Sequence, residues 1–151
     1  MRILHSLAMC AMFTAWAVQP ALAGDFYETD GVAIGGYDPV AYFTRHIAVP
    51  GFAAVTATYR GSTFRFASME DRDIFAADPA IFAPQYHGFC TFGVAEGVKV
   101  ASNPAAFRVI DGKLYLQYNA AVSQRFDQSP AEYLQKAQMN WPSLRDKPLE
   151  K

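Results

Sequence analysis

A histidine and a cysteine stand three positions apart in the segment His87-Gly88-Phe89-Cys90, directly after Tyr86. An imidazole and a thiolate at this spacing can meet on one turn of the chain, and both are ligands that soft metals such as copper(I) accept. Met69 or Asp71 would complete such a site. The candidate metal ligands are therefore Cys90, His87 and Met69, and the candidate cofactor is copper or another soft metal.

The same pair of residues fits two other interpretations. Cys90 is also typical of a small buried hydrophobic residue beside aromatic neighbours, with His87 exposed or hydrogen-bonded to backbone. A nucleophilic pair, in which the imidazole lowers the pKa of the thiol, is the third. That mechanism needs an orienting group and an oxyanion site, and the sequence designates neither. We therefore predict no catalytic residue and favour a binding protein over an enzyme.

A second group of polar side chains surrounds Asp38. This aspartate precedes Pro39, and an Asp-Pro pair favours a helix start with Asp38 as N-cap and the proline at the first helical position. Tyr37, Tyr42 and Tyr86 are the aromatic candidates to share a polar pocket with it. Because buried tyrosine hydroxyls need hydrogen-bond partners, the group is equally consistent with a structural role.

Residues 1–23 have the pattern of a signal peptide. Arg2 forms a short basic region, an almost wholly apolar run follows over 3–18, and Ala21-Leu22-Ala23 matches the A-x-A cleavage pattern. The apolar run is short for a membrane span of roughly 20 residues. We therefore predict cleavage after Ala23 rather than a retained anchor, and a protein that is periplasmic or secreted, with no stable membrane anchor.

Cleavage would remove Cys10 and leave Cys90 as the only cysteine of the mature chain. An exported domain with one thiol has no internal disulfide. Cys90 is then a buried inert thiol, a metal ligand, or a bridge between two chains. The sequence leaves these three roles open.

Length and charge exclude some classes of protein. Residues 24–151 contain no internal repeat, low-complexity tract or linker, so we predict a single domain, which is long enough to bury a core without staples. The chain has 13 Lys and Arg against 14 Asp and Glu, a formal net charge of −1, with no basic stripe. Nucleic-acid binding is therefore not expected.

The predicted fold class is α+β: a small antiparallel sheet built from hairpins, with short helices packed around it. One hairpin joins 53–59 to 63–67, and the other spans 107–118, where Asp111-Gly112 demands a type I′ turn. The predicted helix starts are Ser68, Asn119 and a capping box of Ser129 and Glu132 around Pro130, whose helix is expected to end before Trp141-Pro142. The predicted core comprises Phe64, Phe66, Phe75, Phe82, Phe107, Val109, Leu114, Leu116 and Leu134.

Several short motifs follow one another in a specific order. They are Asp38-Pro39-Val40; Tyr59-x-Gly61-x-x-Phe64-x-Phe66-x-Ser68; Phe75; Asp78-Pro79-x-x-Phe82; Pro84-Gln85-Tyr86; Gly88-Phe89-Cys90; Gly93-Val94-Ala95; Asp111-Gly112-Lys113-Leu114-Tyr115; and Asn140-Trp141-Pro142. Together they resemble the YHS domain, and most of all the exported, stand-alone YHS-domain proteins of bacteria. The resemblance covers nearly all of residues 24–151.

The resemblance implies a binding module that handles metal, with copper as a candidate, because YHS domains also occur in copper-transporting ATPases and some oxygenases. Metal-type members carry cysteines at the positions that are Ala41, Ala67 and Asp71 here. Alanine has no atom that binds a metal, so the usual cysteine site is absent. The sequence thus predicts an exported YHS-type binding module that takes soft metal through Cys90 and His87, or else a metal-free periplasmic accessory protein whose 86–92 segment contacts a protein partner.

Overall fold

The chain alternates hairpins and short helices in the computed structural model, which describes residues 24–150. The elements in chain order are β1 (Glu28–Thr29), β2 (Val32–Ala33), a 3₁₀ turn (Ile34–Gly36), α1 (Ala41–Thr44), β3 (Phe52–Tyr59), β4 (Ser62–Phe66), α2 (Met69–Ala77), α3 (Pro79–Phe82), a second 3₁₀ turn (Gln85–Gly88), α4 (Thr91–Ala95), β5 (Asn103–Ile110), β6 (Lys113–Gln117), α5 (Ala120–Phe126) and α6 (Pro130–Leu144). The predicted signal peptide, 1–23, lies outside the described residues. Within them, no helix has both the length and the apolar character needed to cross a membrane.

The predicted α+β class is confirmed. The strands pair antiparallel as β1-β2, β3-β4 and β5-β6, and each pair is a separate two-stranded sheet. Two of these are the predicted hairpins, and β1-β2 is an additional short one. The hairpins are therefore held together by side-chain packing and helices instead of one continuous hydrogen-bond ladder.

The turn between β5 and β6 has the predicted geometry. Asp111 and Gly112 have φ angles of 50° and 69°, which is the pair of left-handed conformations that a type I′ turn requires. Beyond the turn, β6 lies next to Cys90, which forms an isolated parallel bridge with Leu116. The hairpin thus fixes the 86–92 segment against its inner strand.

Two of the four predicted helix caps are confirmed, those of α2 and α5. The Ser68 hydroxyl accepts a hydrogen bond from the Asp71 amide at 3.0 Å, and the Asn119 side-chain oxygen accepts one from the Val122 amide at 2.9 Å. Each satisfies an amide that the first helical turn leaves without a partner.

The predicted capping box at the start of α6 is wrong, and so is the predicted end of that helix. Ser129 makes no side-chain cap, and Glu132 instead pairs with Lys136 one turn later at 2.7 Å. The helix continues through Pro142 to Leu144. Tertiary packing explains the longer helix, because Asn140 donates to the backbone oxygens at the end of α4 and the buried Leu144 belongs to the core.

The core has two parts. Of the predicted core residues, five are fully buried in the first part: Phe64, Phe66, Phe75, Leu114 and Leu116. Phe82, Phe107 and Val109 pack against its edge, and Leu134 packs against the second part. The second part joins α4, β6 and α6 through Tyr86, Val94, Tyr115 and Ala137, so the 86–92 segment lies where hairpin and helices meet.

Candidate functional site

The 86–92 segment begins with a strained backbone. Tyr86, His87 and Gly88 follow one another with φ angles of 50°, 53° and 79°. For residues with a side chain the left-handed conformation costs about 1–2 kcal/mol each. A Cβ at Gly88 would also be crowded, because it would lie 3.2 Å from the Ile34 side chain.

Hydrogen bonds from distant parts of the chain hold this turn. The His87 carbonyl accepts from the Tyr27 amide at 2.8 Å, and the Gly88 carbonyl accepts from the Ser102 hydroxyl at 2.6 Å. The strain is thus offset by contacts with segments that flank the turn on both sides. Strained residues of this kind are concentrated at functional sites, which makes the turn a place to look for one.

The turn directs His87 and Cys90 into different cavities. His87 lines a polar cavity of about 610 Å³, whereas Cys90 lines an apolar cavity of about 540 Å³. Met69 lines neither, and its side chain is 52% exposed in the first turn of α2. Across residues 24–150, no three His, Cys, Asp or Glu side chains are grouped so that they could hold a metal ion. The structure therefore does not bring the three candidate copper ligands together, and copper binding stays a prediction.

Cys90 is a buried free thiol, with 1% of its surface exposed. Its sulfur caps α4 by accepting a hydrogen bond from the Gly93 amide at 3.4 Å. Burial raises the pKa of the thiol, so the protonated form is favoured at neutral pH. This environment matches a buried inert thiol among the three roles that the sequence left open.

Gln117 is the polar neighbour of Cys90 that the sequence did not single out. It is fully buried, and its side-chain oxygen accepts from the Phe92 amide at 3.0 Å and faces the Cys90 sulfur at 3.7 Å. Among the described residues, its side-chain nitrogen has no hydrogen-bond partner. A glutamine directly after the apolar run Leu114-Tyr115-Leu116 is the only signal of this role in the sequence.

The apolar cavity lies between α4, the segment 98–101, the start of α5 and the C-terminal tail. Its apolar wall includes Phe92, Val98, Val100, Ala101, Val122 and Leu149. Glu96 and Glu150 also line it, and both are exposed, so their carboxylates stand at the rim. Its volume and apolar lining are those of a small-molecule site.

The polar cavity lies on the other side of the 86–92 segment. The His87 ring packs between Phe26 and Trp141, with centroids 5.3 and 5.0 Å away. Burial lowers the pKa of His87, so the imidazole is neutral at neutral pH. The cationic residues that line this cavity are Arg60, Lys99 and Arg145, and the anionic ones are Asp25 and Asp146.

Asp38 is fully buried, but the predicted helix start is wrong: Pro39 and Val40 form a turn, and α1 begins at Ala41 with Val40 as its N-cap. One carboxylate oxygen accepts from the amides of Val40 at 2.9 Å and Ala41 at 3.3 Å, and the other accepts from the Ala67 amide at 2.8 Å. Burial, and to a lesser degree the neighbouring Asp71, raises the pKa of Asp38 to about 6. The carboxylate therefore ties α1 to the end of β4.

The tyrosines that were grouped with Asp38 do not form one pocket. Tyr42 is fully buried, and its hydroxyl donates to the Pro104 carbonyl at 2.9 Å. Tyr37 packs against the same core, whereas Tyr86 belongs to the second core part, where burial raises its pKa to about 12. The structural interpretation fits Asp38, Tyr37 and Tyr42, while Tyr86 lines a separate cavity with His87.

Comparisons of the chain with protein-family models, with curated proteins and with solved structures gave no match.

Proposed function

We propose that this protein is a binding module without catalytic activity, which takes a small and largely apolar molecule into the cavity beside Cys90. The observation that carries the proposal is the cavity itself: about 540 Å³, apolar along its walls, with carboxylates only at its rim. Sites for small molecules are commonly 300–1,000 Å³ and mainly apolar. The volume and the lining both agree with that class of site.

The burial of the 86–92 segment favours a small molecule over a protein partner. Tyr86, Phe89, Cys90 and Thr91 are each exposed by less than a tenth of their surface. A protein partner would need side chains that project outward, whereas these four side chains are buried in the fold. We therefore favour binding of a small ligand over the alternative, a metal-free accessory protein whose 86–92 segment contacts a protein partner.

The arrangement of the thiol and the imidazole does not support catalysis. A nucleophilic cysteine needs a base within hydrogen-bond reach and a lowered pKa. Here the pKa of Cys90 is raised by burial, and His87 lines the other cavity. We propose no reaction at this site, and no copper site that uses both side chains.

The proposal includes export and the YHS-type fold family, and both rest on the sequence. The support for export is the signal-peptide pattern of residues 1–23, and the support for the family is the order and spacing of its motifs. A YHS-type module would then keep the fold and bind a ligand other than the metal of the cysteine-bearing members.

A neutral apolar fluorophore, N-phenyl-1-naphthylamine, tests the binding site. We expect saturable fluorescence enhancement with the purified protein. Ala101→Phe, which fills the cavity from its wall, should abolish it. The matched control is Ala121→Phe, the same substitution at an exposed position of α5 outside the cavity lining. Unfolding curves of both variants show whether the fold is kept, and equal binding by the two folded variants would contradict the proposal.

A further inference from the structure

A single lysine holds the C-terminal tail of the described chain, 145–150, against the rest of the molecule. The Lys99 ammonium donates to the backbone oxygens of Arg145 and Lys147, each at 2.8 Å, and the Lys99 carbonyl accepts from the Glu150 amide at 2.8 Å. Within residues 24–150, these three hydrogen bonds are the ones that join the tail to a segment outside α6 and the tail itself. Lys99 therefore anchors the tail to the rest of the fold.

The tail also contributes an apolar side chain, 42% exposed, to the edge of the proposed binding cavity. Leu149 lines the cavity together with Val98 and Val100, the neighbours of Lys99 in the chain. Side chains alternate in direction along an extended segment, and here the ammonium of Lys99 lines the polar cavity while the two valines line the apolar one. The lysine thus stands at the partition between the two cavities.

The tail presents two kinds of group to this partition. The backbone oxygen of Lys147 accepts a hydrogen bond from the Lys99 ammonium. Two residues later, Leu149 lines the apolar cavity. Two residues of extended chain span at most about 7 Å. A molecule with an oxygen acceptor at one end and an apolar body at that distance would make both contacts at once.

We propose that the natural ligand of the cavity is a small monocarboxylic acid with an apolar body. The acid binds by displacing the tail, because Leu149 and the tail's backbone oxygens occupy the positions that the ligand would take. In this arrangement the apolar body replaces Leu149, and the carboxylate replaces the carbonyls on Lys99. The inference rests on the proposed function, since it names the ligand of the same cavity.

Charge gives the ligand one orientation. The carboxylates of Glu96 and Glu150 at the rim of the apolar cavity repel an anionic head. In the polar cavity three cationic residues outnumber the two anionic ones, so the head is expected on that side. Lys99 is half-buried, and its ammonium lies 4.4 Å from the centre of the Phe89 ring, with neutral carbonyls as its hydrogen-bond partners. A carboxylate forms a stronger, charge-assisted hydrogen bond to an ammonium than a neutral carbonyl does. The exchange of partners therefore favours an acid over an alcohol of the same length.

Octanoate and 1-octanol are the probes, because they share an alkyl chain and differ in the head group. We expect calorimetric titration to give roughly tenfold tighter binding of octanoate, the gain of one hydrogen bond to a charged group. Lys99→Met should make the two affinities equal, whereas Lys113→Met, at an exposed lysine of β6, should keep the difference. Equal affinities in the unaltered protein would overturn the role of Lys99 while leaving the apolar site in place.

Hydrogen exchange at the Glu150 amide reports on the tail without depending on ligand affinity. We expect this amide to be protected in the free protein, and to exchange faster both in Lys99→Met and when octanoate is bound. An amide that stays protected with octanoate bound would overturn displacement.

The variant Leu149→Ala shows whether Leu149 competes with the ligand or forms part of the wall that binds it. The displaced-tail mechanism predicts tighter binding of octanoate by this variant, because its competitor is smaller, and weaker binding would overturn it. If N-phenyl-1-naphthylamine and octanoate both fail to bind the unaltered protein, the proposed function itself fails, whatever the exchange at Glu150 shows.

Discussion

The Cys90 thiol lies 3.7 Å from the side-chain oxygen of Gln117, which also accepts the Phe92 amide at 3.0 Å. The glutamine thereby fixes the start of α4 and the only described cysteine relative to β6. Of the two, Cys90 lines the apolar cavity, and burial raises the pKa of its thiol and so favours the uncharged form. The thiol faces Gln117 and lines the apolar cavity, and this arrangement does not support a catalytic pair with His87.

The reactivity of Cys90 tests that conclusion. We expect the native protein to react with the anionic reagent dithionitrobenzoate at least roughly tenfold more slowly than the denatured protein, because the thiol is buried and its pKa is raised. His87→Ala should leave the native rate unchanged, since the imidazole lines the other cavity. A clear loss of reactivity in that variant would show that His87 activates the thiol.

Copper(I) titration under reducing conditions, against a competing chelator, tests the predicted metal site. We expect no tight one-to-one complex, because in the described structure Cys90 lines the apolar cavity, His87 lines the polar cavity and Met69 lies in the exposed first turn of α2. Tight binding that is lost in both Cys90→Ser and His87→Ala would establish the metal site, and would show that the 86–92 segment rearranges to form it.

The stability of the fold should depend on pH through Asp38. Its pKa is raised to about 6 in the folded protein from an ordinary value of 3.8, so the native state binds the proton more tightly than the unfolded state does. This contribution is complete below the ordinary value and is lost as the pH rises through about 6. The free energy of unfolding should therefore fall by on the order of 1–3 kcal/mol from this group between about pH 4 and pH 7.

Urea unfolding of the unaltered protein and Asp38→Asn at both pH values measures this contribution. The asparagine lacks the second acceptor oxygen for the Ala67 amide, so the variant should be less stable at both pH values. Because it does not ionise at this position, the difference in stability between the two proteins should narrow as the pH rises. A constant difference would contradict the raised pKa.

The two N-caps on either side of α5 provide a matched pair for helix stability. Asn119→Ala should lower the free energy of unfolding by about 1 kcal/mol, because the Val122 amide loses its acceptor. Ser129→Ala should change it by much less, since the Ser129 side chain caps nothing. Thermal unfolding of both variants is the measurement, and equal losses would restore the predicted capping box.

Local features of this protein follow from the sequence because they depend on neighbouring backbone. Asp111-Gly112 specifies the turn of the β5-β6 hairpin, and Ser68 and Asn119 specify where two helices begin. The α+β class and the fully buried phenylalanines of β4 follow from the same patterns of apolar spacing. Each of these features is determined by the conformations and side chains of a few consecutive residues.

The site was decided by the tertiary structure. His87 and Cys90 stand close in the sequence, but the left-handed turn at Tyr86 and His87 separates them, and hydrogen bonds from Tyr27 and Ser102 hold that turn. Such a turn is unfavourable in isolation, so no local pattern predicts it. Likewise, the end of α6 follows from its packing on α4, and the apolar cavity is assembled from segments that only the folded chain brings together. The sequence alone determined which groups are present, and long-range packing determined which of them share a cavity.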